Sequence, residues 1–126
     1  MNISLAGSSV QPRCMDITED VYLMCPTYDD TIARVQVDTG TVVFDHSVPQ
    51  IGNPSGVTIT SDGSILVTDR LNKTLNLVSS KGVWLKQFWS APSDGDQDDE
   101  LLSVSTHGTV CVCVTWHGSV YVLDCL

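Results

Sequence analysis

From Asn53 to Trp89 the apolar side chains fall into four short runs with turn residues between them. Val57-Thr58-Ile59-Thr60 alternates apolar and polar, Ser61-Asp62-Gly63 reverses the chain, and Ser64-Ile65-Leu66-Val67-Thr68 runs back. Asp69 to Lys73 loops into Thr74-Leu75-Asn76-Leu77-Val78, and Ser79 to Gly82 leads into Val83-Trp84-Leu85-Lys86-Gln87-Phe88-Trp89. Spacing of period two sends successive side chains to opposite faces of a strand, and β-branched residues suit that pleated surface. Asp-Gly between two such runs is the strongest short-range hairpin signal. The pattern predicts one four-stranded antiparallel sheet. A lone sheet has nothing to cover its apolar faces, so it must be one of several repeated units or pack on another element.

The same arrangement recurs on either side. Upstream, Met15-Asp16-Ile17, Asp20 to Cys25, Thr31 to Val35 and Thr41 to Phe44 give four runs; downstream, Leu102-Ser103-Val104, Gly108 to Val114 and Ser119 to Leu123 give three. Ile17 and Ile59 lie 42 positions apart and Ile59 and Val104 lie 45 apart, the excess falling beside the acidic loop Ser93 to Glu100. Four strands at a period of roughly 40 to 45 residues mark a β-propeller blade. The chain is therefore predicted to be all-β, a partial β-propeller of about three four-stranded antiparallel blades with no helix. Blade repeats fall at 15–47, 54–92 and 101–126, and 1–14 is placed as an outer strand of a preceding blade, built on Asn2-Ile3-Ser4-Leu5-Ala6.

Asn53-Pro54-Ser55-Gly56-Val57-Thr58-Ile59, Gly63-Ser64-Ile65-Leu66-Val67-Thr68-Asp69 and Asn72-Lys73-Thr74-Leu75 resemble the NHL repeat, with Asn53, Pro54, Gly56, Gly63, Asp69 and Asn72 at its motif positions. Lys73 stands where the name-giving His usually stands, the first repeat lacks its Gly at position 20, and the third lacks the Asp and Asn. The whole is similar to the C-terminal propeller of tripartite-motif (TRIM) ubiquitin ligases, and covers about three of the six blades such a propeller has. The resemblance implies a protein-binding module that recognises a ubiquitination substrate. It implies no catalysis in this chain, because ligase chemistry in that family needs a RING with paired Cys and His zinc ligands, and that spacing does not occur here. The alternatives are part of a six-bladed propeller enzyme of lactonase or lyase type, and a purely structural scaffold.

Charge narrows the partners. The chain of 126 residues has 15 acidic and 6 basic side chains, a formal charge of −9, and 42% hydrophobic residues, enough for an ordinary packed core. Arg34, Arg70, Lys73, Lys81 and Lys86 are spaced singly. Phosphate contacts need a basic face, so RNA is not an expected partner. No apolar run approaches the roughly 18 to 20 residues of a membrane-spanning helix, and Met1 to Val10 lacks the basic start and apolar core of an export signal. A cytoplasmic protein that does not engage membranes is expected. Asn72-Lys73-Thr74 matches a glycan acceptor, but that reading lapses without export.

Cys14, Cys25, Cys111, Cys113 and Cys125 have no disulfide or zinc framework spacing and are read as reduced thiols. Cys111 and Cys113 alternate with valines and so share one face of a strand. No metal or other cofactor is expected. Asp94, Asp96, Asp98, Asp99 and Glu100 are read as a solvated charge run, because the offsets of a calcium loop are missing.

Three residues stand out as candidate partner-binding positions: Trp89, Trp116 and Arg70. Trp84 alternates with apolar neighbours and is read as packing between blades. Asp69 and Arg70 are read as a buried pair at a blade contact, the Asp accepting backbone N–H groups. His46, His107 and His117 fall at turns or strand ends, and the innermost strands carry Ile17, Val57, Ile59 and Val104 with Thr58, Thr60 and Ser103 between them, which is no catalytic ligand set. There is no G-x-S-x-G elbow. About three blades leave end faces that a closed ring covers, so self-association completing the propeller is expected.

Overall fold

Eleven antiparallel strands form three sheets in a computed structural model that describes residues 13–18, 22–92 and 99–124. The first blade contains β1 (Asp16–Ile17), β2 (Tyr22–Pro26), β3 (Ile32–Gln36) and β4 (Val42–His46). The second contains β5 (Pro54–Ile59), β6 (Ile65–Asp69), β7 (Thr74–Val78) and β8 (Trp84–Ser90). The third contains β9 (Leu101–His107), β10 (Val110–Thr115) and β11 (Val120–Asp124). Within each sheet the strands follow chain order, and no helix occurs among the described residues. The predicted all-β blades are present. The strand foreseen at Val57–Thr60 starts earlier, at Pro54, because a bulge between Pro54 and Val57 keeps the chain paired with β6 up to Asp69. The segment Asn2 to Ala6, Val21, Asp94, Asp96, Asp98 and Cys125 lie outside the described residues.

The reversals share one hydrogen-bonding device. The amides of Thr27, Ser79 and Thr115 donate to the carbonyls of Thr31, Val83 and Ser119, four residues on. The hydroxyls of the same three residues accept the amides of Thr31, Val83 and Ser119 in return. Closing such a three-residue loop puts its last residue in left-handed backbone, where Gly82 and Gly118 sit at φ 81 and 90 and Asp30 at 61.

Blades meet through apolar faces. Met24, Ile32, Val57, Val67 and Val78 lie buried between the first and second blades, with Phe44 and Trp84 against them. Leu66, Leu75, Leu101, Val104, Cys111 and Cys113 fill the second contact, with Trp89 and Tyr121 against them. The inner strands are tied directly: an Asp16 carboxylate oxygen accepts the Ile59 amide, the Thr58 and Thr106 hydroxyls bond at 3.0 Å, and the Thr106 hydroxyl also donates to the Ile59 carbonyl. Gly56 permits the tightest approach, since a Cβ there would stand 2.8 Å from the Ser103 Cα.

The two end faces differ. On the side of the first blade away from the second, Cys25, Ala33 and Val35 are fully buried. On the far side of the third blade Val110, Val120 and Val122 are 39%, 58% and 67% exposed.

Candidate functional site

Strand direction sorts the loops between two ends of the sheets. The hairpins β2–β3, β6–β7 and β10–β11 and the linkers entering each blade lie at one end; the hairpins β1–β2, β5–β6 and β9–β10 lie at the other. At the first end each hairpin tip presents one large apolar side chain: Tyr28 at 59% exposure, Leu71 at 52% and Trp116 at 69%. Hairpin tips carry no interior face, so packing does not account for these three. The Arg13 guanidinium lies 4.6 Å from the centre of the Tyr28 ring, a cation–π contact that holds the ring's orientation.

Polar groups fix this end. Asp69 is fully buried, and its carboxylate accepts the Gly52 amide at 3.1 Å, the Asn72 amide at 3.3 Å and the Asn72 side-chain amide at 3.0 Å. Asp69 and Asn72 thus lock the hairpin to the incoming linker, while Asn53 receives the Arg70 amide on its carbonyl and Pro54 opens β5 opposite Asp69. Gly63 closes the β5–β6 turn at the other end in left-handed backbone, φ 85.

Arg70 does not pair with Asp69, contrary to the sequence reading. Its guanidinium reaches Glu100 at 3.1 Å in the linker entering the third blade, and its carbonyl accepts the Leu101 amide. β6 ends at Asp69 and Arg70 is the first residue of the hairpin, so its side chain reaches the next blade's linker while the Asp69 carboxylate stays engaged with Gly52 and Asn72.

The solvated reading of the acidic run fails at its last two residues. Glu100 pairs with Arg70, and its carbonyl accepts the Trp116 amide. Asp99 is buried and accepts the Thr115 hydroxyl at 2.7 Å and the His117 amide at 2.6 Å. Desolvation pushes the Asp99 carboxyl up, but the His117 and Thr115 hydrogen bonds and the charges of His117 and Lys73 outweigh it, and the pKa lies below its ordinary value. The second and third blades therefore make the same linker-to-hairpin tie with roles reversed. In the second the hairpin supplies the carboxylate; in the third the linker does.

The remaining sequence candidates separate. Trp116 is exposed, and its amide donates to the backbone carbonyl of Glu100, whose carboxylate pairs with Arg70. Trp89 is half-buried on the second blade's outer strand with its ring 4.9 Å from Tyr121, so it packs between blades. Trp84 does the same on the other side, and donates its indole N–H to Asn76. Sequence reasoning missed Tyr28 and Leu71, whose signal was their position one or two residues past a strand end, matching Trp116. Among the described residues no three His, Cys, Asp or Glu side chains converge as a metal site. Burial pushes the Cys25 thiol up to about 12, with the Asp45 charge and Cys14 adding to it.

Two clefts mark the opposite end. One of about 740 Å³ is lined by Asp16, Thr18, Arg34, Thr60, Asp62 and Thr106 among others. A second of about 470 Å³ lies between Tyr22, Arg34, Val43, Phe44, Ser80 and Lys81.

No family model and no curated protein matches the chain. Solved structures do. The WD40 repeats of RRP9 superpose with a TM-score of 0.73 at 15% identity, over 95% of this chain and 37% of that one. U3-55K gives 0.70 at 16% identity, over 95% and 38%. Virginiamycin B lyase from Staphylococcus aureus gives 0.55 at 15% identity, over 98% and 44%. The chain thus has the fold of a β-propeller portion, spanning about two fifths of the length of the structures it matches.

Proposed function

We propose that this chain is a protein-binding portion of a β-propeller and that partners dock at the end carrying Tyr28, Leu71 and Trp116. The observation that carries this reading is the exposure of one large apolar side chain per blade at equivalent hairpin tips, each braced by hydrogen bonds or a charge beneath it. Aromatic side chains held rigidly at a surface give large contact area at low ordering cost, which is how binding hot spots are built. Arg70 sits at the rim of this surface, where the pair with Glu100 orders the backbone that supports Trp116. To test it, a photo-crosslinking residue is placed at Trp116 and, separately, at Val83 on the opposite end. Crosslinks to a protein from Trp116 alone, lost with Leu71→Ala at unchanged thermal stability, support the reading; equal crosslinking from both ends removes it.

The finer reading, recognition of a ubiquitination substrate for a tripartite-motif ligase, rests on the NHL-type residues Asn53, Pro54, Gly56, Gly63, Asp69 and Asn72 in the second blade. A native transcript that encodes a RING and B-box upstream of Met1 is the expected outcome; a different upstream domain ends that reading. Under it the chain binds and does not catalyse, in the cytoplasm. The lactonase or lyase alternative has one observation in its favour, the 740 Å³ cleft with Asp16, Arg34 and Asp62. Binding is preferred because the polar groups there already hold the fold together: Asp16 takes the Ile59 amide, Thr106 ties β9 to β5, and Arg34 donates to the Ser80 carbonyl.

A further inference from the structure

The chain has 6 basic side chains against a formal charge of −9, and two of them, Arg34 and Lys81, line the same cleft. That cleft, of about 470 Å³, lies at the end of the sheets opposite the hairpin-tip surface, with Tyr22, Val43, Phe44 and Ser80 as its other walls. Among the described residues no carboxylate lines it. Tyr22, Arg34, Val43 and Phe44 belong to the first blade, and Ser80 and Lys81 to the β7–β8 hairpin of the second. Both walls are therefore supplied by consecutive four-stranded blades.

The hairpin that carries Lys81 is held on both sides of that residue. Arg34 Nη1 donates to the Ser80 carbonyl at 3.2 Å, His46 Nε2 donates to the Gly82 carbonyl at 3.0 Å, and the Lys81 amide donates to the Ser79 hydroxyl oxygen at 3.2 Å. Gly82 lets the hairpin come this close, since a Cβ there would stand 2.8 Å from the Phe44 ring. The Arg34 guanidinium lies 4.2 Å from the centre of the Tyr22 ring, a cation–π contact that sets the orientation of one flat wall. The backbone beneath Lys81 is thus fixed while its side chain is exposed, and among the described residues its ammonium pairs with no carboxylate.

We propose that this cleft binds a small aromatic carboxylate, its ring laid against Tyr22, Val43 and Phe44 and its carboxylate against the Lys81 ammonium. Small-molecule sites are clefts of roughly 300 to 1,000 Å³ with apolar and aromatic walls and a few placed polar groups, and this cleft has that size and that make-up. A flat ligand suits walls of this kind, because aromatic rings pack offset or edge to face. Charge sets the sign of the ligand: the cations of the cleft attract an anion that the acidic remainder of the surface repels. The site is independent of the hairpin-tip surface, and a ligand of this size gives no protein crosslink from Val83.

The test titrates the full, isotope-labelled chain with 2-naphthoate and follows backbone amide shifts. Saturable shifts are expected at Phe44, Lys81 and Gly82, with a Kd of about 1 mM or tighter. Lys81→Gln removes the cation and weakens binding about fivefold, whereas Lys81→Arg keeps it and binds within about twofold of the parent. Val43→Glu sets a carboxylate in the cleft from a side chain that is 53% exposed, and weakens binding about tenfold. The neutral 2-naphthylmethanol is expected to bind about fivefold more weakly than the naphthoate, as Lys81→Gln does. Absence of saturation, Lys81→Gln or the neutral alcohol binding as tightly as the parent pair, or shifts confined to the hairpin tips or to Val120 and Val122 overturns the proposal. A peptide of one tyrosine between two glutamates that shifts the same amides at least about tenfold more tightly also overturns it, by giving the cleft to a polypeptide. The comparison of naphthoate with its neutral alcohol uses the parent chain alone and decides the matter even if a variant fails to fold.

Discussion

Asp30 occupies left-handed backbone at φ 61, and one of its carboxylate oxygens is buried with no hydrogen-bond partner among the described residues. Gly82 and Gly118 hold the equivalent place in other hairpins without either penalty. Replacing a non-glycine residue there relieves steric strain, and removing an unsatisfied buried oxygen relieves a desolvation cost. Asp30→Gly is therefore expected to stabilise the chain by about 1 kcal/mol, offset in part by glycine's greater freedom when unfolded, as read from the urea midpoint. Asp99 gives a pH dependence. Its folded pKa lies below the ordinary 3.8, so its contribution is present above that value and is lost as pH falls through the folded pKa. Asp99→Asn is expected to unfold at lower urea than the parent at pH 7, and the gap between the two midpoints should shrink below pH 4.

At the scale of elements, the ties between hairpins and linkers decide whether a blade holds its neighbour. Asp69→Ala strands the Gly52 amide and both Asn72 donors, and is expected to cost about 3 kcal/mol in equilibrium unfolding. A smaller loss, under about 1 kcal/mol, would show that water reaches those donors. Gly56→Ala acts on spacing: its Cβ would meet the Ser103 Cα at 2.8 Å and the Leu102 carbonyl at 3.0 Å, backbone atoms that move only if the third blade moves. A cost of about 2 kcal/mol is expected, together with altered fluorescence from Trp89, which packs across the same contact.

For the whole molecule, the exposed valines of the third blade are expected to govern behaviour in solution. Exposed apolar patches on a sheet invite association, and here the opposite end face holds its Cys25, Ala33 and Val35 buried. Association is therefore expected through the third blade. Light scattering should give an apparent mass that rises with concentration, and Val112→Lys with Val120→Lys should bring it back toward the 13.6 kDa of one chain. An unchanged mass in that double variant would place the contact elsewhere.

The sequence by itself determined the strands, their order and the repeating unit. Period-two alternation and turn residues act over a few positions, and the blades are made of adjacent strands joined by short hairpins, so local signals were enough to read the architecture. It also placed Cys111 and Cys113 on one face, because strand alternation requires it. The tertiary structure decided everything that crosses between blades or ties a linker to a hairpin. Arg70 meets Glu100 at a separation of 30 residues and Thr115 meets Asp99 at 16, contacts that no periodicity encodes. The same acidic run therefore changes role within itself, since Asp99 and Glu100 reach the hairpins of two blades. Trp89 and Trp116 looked alike in sequence and ended differently: one lies on an outer strand that faces the next blade, the other on a hairpin tip with nothing above it. Which apolar residues are core and which are surface was settled by how the sheets stack, and stacking is a property of the assembled blades.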